Sequence, residues 1–335
     1  MLKALVNEAR LRLDITTQGP LLVKTGYATV IGADMAPVMT YRNGQQEVYI
    51  PGSSLKGVFR SHIEKVANSI KWRVACNPLS EREDARDDRH LYRPSCSSRF
   101  SKDMPSHAMY AASCPTCRLF GSTSYIGRIS VEDAYLPAKA YEEKKLIEHR
   151  DGIAIDRLTG GTGGGAKFDL EVVTEGATFT TDIRLRNFEI WQLGMLFVII
   201  QDLEDELIRI GSGRSRGLGK VRASISEQDE GPHKGGLLLS TTRTNKSKEP
   251  DRELWGLGRW LAEEGEDEKT YDTRRDDLLT LSKELAHVPS LIRNTRIFKG
   301  EALNSLKGQS IEAFATRMQE WTGTPETSTG APQRS

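Results

Sequence analysis

The chain has 335 residues, 37% of them hydrophobic and 28% charged, with a formal net charge of +1. That length suits one large domain with insertions or two domains, with a packed core under a heavily charged surface. No stretch reaches the apolar length of a membrane span, and the charged start MLKALVNEARLRLDI lacks a secretory signal's apolar core and cleavage site, so the sequence predicts a cytoplasmic protein without a membrane partner.

Residues 10–17 alternate Leu11, Leu13 and Ile15 with polar neighbours, the period of a half-buried strand. Residues 53–70 place Leu55, Val58, Phe59, Ile63, Val66 and Ile70 at helical spacing, with Ser53 or Ser54 available as the cap. Residues 127–136 and 177–188 read as strands. A second helix follows with Ile190, Leu193, Phe197 and Ile200 on one face, and residues 218–226 return as a strand. The order β-α-β-β-α-β predicts an α+β, ferredoxin-like (RRM-like) palm over residues 1–227, two helices covering one face of an antiparallel sheet. The aromatic base-stacking motif of the RNA-recognition module is absent.

Insertions at 18–52, 71–126 and 137–176 interrupt this core, and loops of that length are usually functional or disordered. Residues 228–251 read as a linker and 252–322 as a helical extension. Trp255, Leu257, Trp260 and Leu261 open one helix there, and Ile311, Phe314, Met318 and Trp321 close another. The tryptophans suit either a contact with a neighbouring subunit or a small separate bundle. Residues 323–335 read as a disordered tail.

Near-neutral net charge hides local asymmetry: basic residues gather over Arg209–Arg222, acidic ones over Asp202–Glu206 and Glu263–Glu268. The segment YIPGSSLKG leads into the first helix, where free N–H groups attract phosphate and Lys56 and Arg60, one turn apart, add charge. An ordinary capped helix with solvated side chains is the plainer alternative. In the run Gly211-Ser212-Gly213-Arg214-Ser215-Arg216-Gly217-Leu218-Gly219-Lys220, glycines and cations can wrap a phosphodiester chain, or simply form a basic hairpin turn. Its spacing fits neither a Walker loop nor a dinucleotide fingerprint.

All four cysteines, Cys76, Cys96, Cys114 and Cys117, fall in one insertion. Cys114-Pro-Thr-Cys117 has zinc-knuckle spacing, and Cys76 with Cys96 would complete a structural Zn²⁺ site. His90 and His107 are alternative ligands, and buried free thiols are the other reading. Four thiolates leave no open position for catalysis, and the flanking pattern does not suit a thioredoxin-type pair.

Taken in series, YIPGSSLKG before a helix, CRLFGS before a strand, IDRLTGG in an insertion and GSGRSRGLG resemble the RAMP superfamily, and within it the repeated backbone subunits of type III CRISPR effectors. The resemblance covers roughly residues 10–226. It implies a palm that holds the crRNA guide, a filament shared with neighbouring RAMP and other Cas subunits, target single-stranded RNA as ligand, and a role in antiviral defence. Ser53, Ser54, Lys56, Arg60, Gly211, Gly213, Arg214, Arg216, Gly217, Gly219 and Lys220 would then touch RNA. The segment Arg150–Phe168, with Ile153, Ile155 and Arg157, would be a thumb that breaks the guide–target duplex; otherwise it is a Gly-rich surface loop. Asp34, in IGADMAPVMTYRNG, would cleave target RNA with Mg²⁺ or another divalent metal, coordinating it or helping deprotonate the attacking 2′-hydroxyl. A scaffold without chemistry is the alternative. A guide-processing nuclease using His62 as base is a third reading, disfavoured by the thumb-like segment.

Overall fold

The computed structural model describes residues 4–24, 33–42, 44–80, 93–137, 146–228, 235–242, 249–283, 285, 287–289 and 292–322. His90 and the tail 323–335 lie outside the described residues, as do parts of the segment expected to be a linker.

The palm forms as its periodicity predicts. Strand β1 (Asn7–Thr17) buries Ala9, Leu11, Leu13 and Ile15. In the first insertion, β2 (Met39–Arg42) and β3 (Gln45–Ile50) form a hairpin that leads into helix α1 (Gly52–Ile70), whose buried stripe is Leu55, Phe59, Ile63 and Ala67. The cysteine-bearing insertion contributes α2 (Ser106–Ala111) and α3 (Pro115–Phe120), followed by the small ladder β4 (Gly121–Ser122) and β5 (Tyr125–Ile126). The expected strand at 127–136 is split into β6 (Ile129–Val131) and β7 (Ala134–Tyr135). A separate hairpin, β8 (Ile147–Ile155) and β9 (Thr162–Val173), stands before β10 (Thr178–Arg186), α4 (Ile190–Glu204) and β11 (Val221–Ile225). β10 pairs with β1 on one side and with β6 and β7 on the other, and β11 pairs with β1's free side, all antiparallel. This is the ferredoxin-like strand order expected for the α+β palm.

The C-terminal third differs from expectation. Residues 237–242, expected within a linker, form β12 (Leu237–Thr242), which pairs with Asn7–Leu11 of β1 next to the stretch that β11 occupies. β15 (His287–Pro289) and β16 (Arg293–Phe298) continue the sheet outward from β12. The extension is therefore mixed rather than helical. A short ladder, β13 (Glu253–Trp255) with β14 (Leu278–Thr280), surrounds α5 (Leu257–Glu263) and α6 (Glu268–Tyr271) before the long α7 (Gly300–Glu320). Trp255 belongs to β13 rather than to the helix it was expected to open.

Helix α4 is buried on every side, not on one face: Trp191, Gly194, Met195 and Leu196 are buried as fully as Leu193, Phe197 and Ile200. A helix apolar all round needs cover all round, and α7 supplies it. A Cβ at Gly194 would lie 2.0 Å from the Ser310 carbonyl oxygen, so the helices meet where only glycine fits. The Asp277 carboxylate accepts from Ile190 N at the start of α4 and from Gly258 N in α5, both at 2.9 Å. Burial, reinforced by the charge of Glu189, pushes its pKa up to about 8. Arg118, wholly buried, donates to the Ala111 and Asp272 carbonyls and lies over the Trp321 ring at 4.5 Å. The extension is thus bolted to the palm rather than tethered as a separate bundle.

Replacing Gly194 with valine should cost about 1–3 kcal/mol through overpacking of the α4–α7 contact. Urea unfolding measures it, and an unchanged midpoint would contradict that contact.

Candidate nucleic-acid interface and metal centre

Segment 20–24 ties three distant motifs together. Leu21 N donates to the Val173 carbonyl at 2.9 Å, at the base of the β8–β9 hairpin. Ser212 N donates to Leu22 O at 2.7 Å and Gly219 N to Pro20 O at 2.8 Å, which fastens the glycine-rich loop. Val38 N donates to Val23 O at 2.8 Å, drawing in the loop that carries Asp34. Leu22, Leu170, Val172 and Leu218 bury one another beneath this junction, with Met35 and Phe168 packed alongside.

The glycines in the loop have a structural reason. Gly211, Gly213, Gly217 and Gly219 all have positive φ, and a Cβ at Gly219 would lie 2.1 Å from the Ile210 carbonyl oxygen. The turn leaves Arg214 and Arg216 exposed, with the Arg216 guanidinium 5.6 Å from the Phe168 ring centroid. Lys220 is already paired, its Nζ 2.6 Å from Glu206, and that contact holds the Glu206 carboxyl below its ordinary range.

The β8–β9 hairpin presents apolar side chains to solvent at its tip: Ile153 is 56% exposed, Ile155 67% and Leu158 97%. Asp156 shapes the turn by accepting from Thr159 N and Leu158 N, both at 2.8 Å, and these bonds hold its carboxyl low. Arg157 is exposed beside them. Leu158 was not singled out from sequence, although it lies within the IDRLTGG motif itself.

Asp34 lies against the middle of β9, where Asp169 pairs with Asp151. Its Oδ2 accepts from Asp169 N at 3.2 Å, and Met35 pairs with this strand through Asp169 O and Glu171 N. His149, Asp151 and Asp169 have ligand atoms within 4.8 Å of one another on the same hairpin. Sequence inspection missed this group, because β8–β9 pairing rather than spacing assembles it.

The start of α1 differs from expectation. Neither Ser53 nor Ser54 caps it; the Asp133 carboxylate accepts from Gly52 N at 2.7 Å and already supplies a negative charge there. Ser53 is exposed and Ser54 half-buried. Lys56 Nζ donates to the Ile129 carbonyl at 3.1 Å, and burial, with the neighbouring Arg60 charge, lowers its pKa. Arg60 is engaged within the chain: it donates to Glu64 at 2.8 Å, to the Gly121 carbonyl at 2.9 Å and to Cys117 Sγ at 3.2 Å. Further along α1, His62 Nε2 lies 2.5 Å from Asp202 Oδ2 of α4. It borders a cavity of about 370 Å³ lined by Ser61, Lys65, Arg209, Arg214 and Ser215.

The four cysteines converge, all buried and none in a disulfide. Cys76 Sγ is 3.4 Å from Cys117 Sγ and 3.6 Å from Cys114 Sγ. Zn–S bonds of about 2.3 Å put tetrahedral sulfurs about 3.8 Å apart, whereas a disulfide needs about 2.05 Å. The cluster therefore fits a tetrahedral metal such as zinc. Burial opposes ionisation, yet hydrogen bonds from Cys117, Cys76 and Cys96 hold the Cys114 thiol well below its ordinary value. His107 takes no part; its ring packs against Tyr271, with centroids 5.9 Å apart.

A family model described as the RAMP superfamily matches residues 14–222. The chain belongs to the RAMP superfamily. The match contains the palm from Asp14 onward, the hairpin, the cysteine cluster and the glycine-rich loop, and it ends before β12. Membership carries the coarse assignment of a CRISPR-associated, RNA-binding subunit. No curated protein matches the chain. Among the described residues, no helix of this RAMP protein is long and apolar enough to cross a membrane.

Metal analysis of the purified chain should find about one tightly held ion per molecule, lost in Cys114→Ser together with thermal stability. A metal-free wild type of full stability would leave the cysteines as buried thiols.

Proposed function

We propose that this RAMP protein is a guide-RNA-binding backbone subunit of a type III CRISPR effector complex in antiviral defence, and that it cleaves guide-paired target RNA through Asp34. The observation that carries this reading is the contact between Asp34 and Asp169, residues 135 apart in sequence, midway along a hairpin with an apolar, exposed tip.

Each part has a physical role toward RNA. Exposed Ile153, Ile155 and Leu158 gain by leaving water, and wedging between bases gives them cover. Arg214 and Arg216 offer phosphate contacts, and the cavity flanked by Lys65, Arg209 and Arg214 continues the positive charge onto α1. Gly57 supports a ligand on that helix face. It is exposed in mid-helix, and a Cβ there would meet nothing within 4 Å. Glycine costs a helix about 0.5–1 kcal/mol relative to alanine, and no packing within the described residues calls for it; close approach of an RNA backbone would.

Nucleotides displaced by the wedge would pass near the Asp34 carboxylate, which helps deprotonate the 2′-hydroxyl for in-line attack on the adjacent phosphate. A bound Mg²⁺ or similar divalent ion supplies electrostatic stabilisation of the developing charge. Zinc, held by Cys76, Cys96, Cys114 and Cys117, is structural in this reading. Other Cas subunits, including neighbouring RAMP subunits, complete the complex. Arg60 and the capped start of α1 drop out of the proposed RNA contacts, since their polar groups are engaged within the chain.

In the assembled ribonucleoprotein, Asp34→Ala should slow Mg²⁺-dependent target cleavage about 100-fold or more while target binding persists. Undiminished cutting would clear Asp34 of the role. A wild-type complex that binds target without cutting would instead make the chain a scaffold.

A second outcome tests the grip. Gly57→Leu should weaken guide binding while leaving the unfolding midpoint the same or higher, because it improves helix propensity. Unaltered RNA affinity in that variant would place the RNA elsewhere.

A further inference from the structure

We propose that Arg60 and Arg99 are charge-compensating outer ligands of the tetracysteine centre, donating N–H groups to its sulfurs and holding it as an inert metal–thiolate site. This rests on the metal reading of the cysteines, and extends it to two residues with no other assigned role.

The geometry is direct. Arg60 Nη2 lies 3.2 Å from Cys117 Sγ, and Arg99 Nη2 lies 3.3 Å from Cys96 Sγ. Cys96 Sγ also accepts from Cys114 N at 3.2 Å. The two cations reach different sulfurs from different elements: Arg60 from α1, and Arg99 from the 3₁₀ turn Cys96–Arg99.

Charge accounting explains why both are there. A divalent ion with four thiolates carries two excess negative charges, and Cys96, Cys114 and Cys117 are wholly buried while Cys76 is only 3% exposed. Buried uncompensated charge is costly, and the two guanidiniums offset it, Arg60 sharing its charge with Glu64. Neutral thiols would give the arginines little in return, since a thiol sulfur is a weak acceptor. Arg99 nonetheless stays against Cys96, with its buried Nε lacking a hydrogen-bond partner among the described residues and only the Ala112 carbonyl, at 3.5 Å, as a second acceptor for Nη2. Thiolate charge makes that position favourable in a way that protonated cysteines do not.

Hydrogen bonds and nearby cations withdraw charge from sulfur, so the site should resist alkylation and oxidation. Arg60 also joins the centre to the protein around it. The same guanidinium donates to the Gly121 carbonyl after α3 and to Glu64 on its own helix. Through it, the metal centre fixes the register of α1, the helix that carries Gly57 and Lys65.

The experiment uses the full-length chain with Zn²⁺, and Co²⁺ as spectroscopic probe, in wild type, Arg60→Gln, Arg99→Gln and Arg99→Lys. Chelator competition should show Zn²⁺ held about 10–100-fold more weakly in each Gln variant. Iodoacetamide should release the ion faster, the thiolate-to-Co²⁺ charge-transfer band should shift, and Arg99→Lys should recover part of the loss. Arg99 lies at the edge of the site, so Arg99→Gln should keep the wild-type circular dichroism even if Arg60→Gln does not fold. Unchanged affinity, release rate and spectrum in a folded Arg99→Gln would overturn the role of Arg99, and the same result in a folded Arg60→Gln that of Arg60. A wild type that binds neither Zn²⁺ nor Co²⁺ would overturn the metal reading beneath both.

Discussion

Main-chain hydrogen bonds from segment 20–24 hold together three of the segments proposed to face RNA. Through Pro20, Leu21, Leu22 and Val23, this short stretch joins the base of the β8–β9 hairpin, the glycine-rich loop and the loop carrying Asp34. None of the three belongs to the regular palm, and each would otherwise be a long excursion with little to fix it. Backbone bonds set their mutual positions whatever side chains they carry at the surface. The apolar tip, the exposed arginines and the carboxylate can then serve a ligand without also maintaining the fold. Beneath them, Leu22, Leu170, Val172 and Leu218 exclude water from the junction.

A second constraint explains the C-terminal third. β11 covers only Leu13–Thr17 along one side of β1, leaving the backbone groups that Asn7–Leu11 turn to that side without a partner from the palm. β12 fills that vacancy, and the chain it belongs to returns as α7 to cover the exposed side of α4. An open strand edge beside a helix apolar all round would invite aggregation, so the extension is part of the palm's own stability. Tyr110, Arg118, Glu189, Asp272 and Asp277 link the cysteine-bearing insertion to this extension through buried hydrogen bonds. The cysteine cluster, α4 and the C-terminal helix thereby form one supporting body behind the proposed RNA-facing side.

How much of this was legible in the sequence depended on range. Alternation in β1 and helical spacing in α1 are local signals, and both elements appeared where they read. The tetracysteine cluster was legible from count and confinement to one insertion, though not from spacing alone. The hairpin was visible only through resemblance, since GGTGGGAKF gives no strand period of its own. What failed was non-local. The run LLLSTT between charged loops looked like linker because nothing in it announces a partner more than two hundred residues upstream. Asp133, not a nearby serine, satisfies the start of α1 from 81 residues away. Arg60 read as an RNA contact because its helical phase does not reveal the cysteine sulfur it faces. The all-round apolarity of IWQLGMLFVII was a fair warning that α4 needed a second cover, and the extension answers it.

In the proposed function, the glycine-rich loop, the hairpin tip and the Gly57–Lys65 face of α1 form one RNA-binding surface. Photo-crosslinking the assembled complex with a 4-thiouridine guide, followed by peptide mapping, tests it most directly. The account predicts crosslinks within residues 153–158, 209–217 and 57–65 of the same chain. Crosslinks confined to the opposite face of the sheet, around Arg12, Thr180 and Asp182, would contradict it.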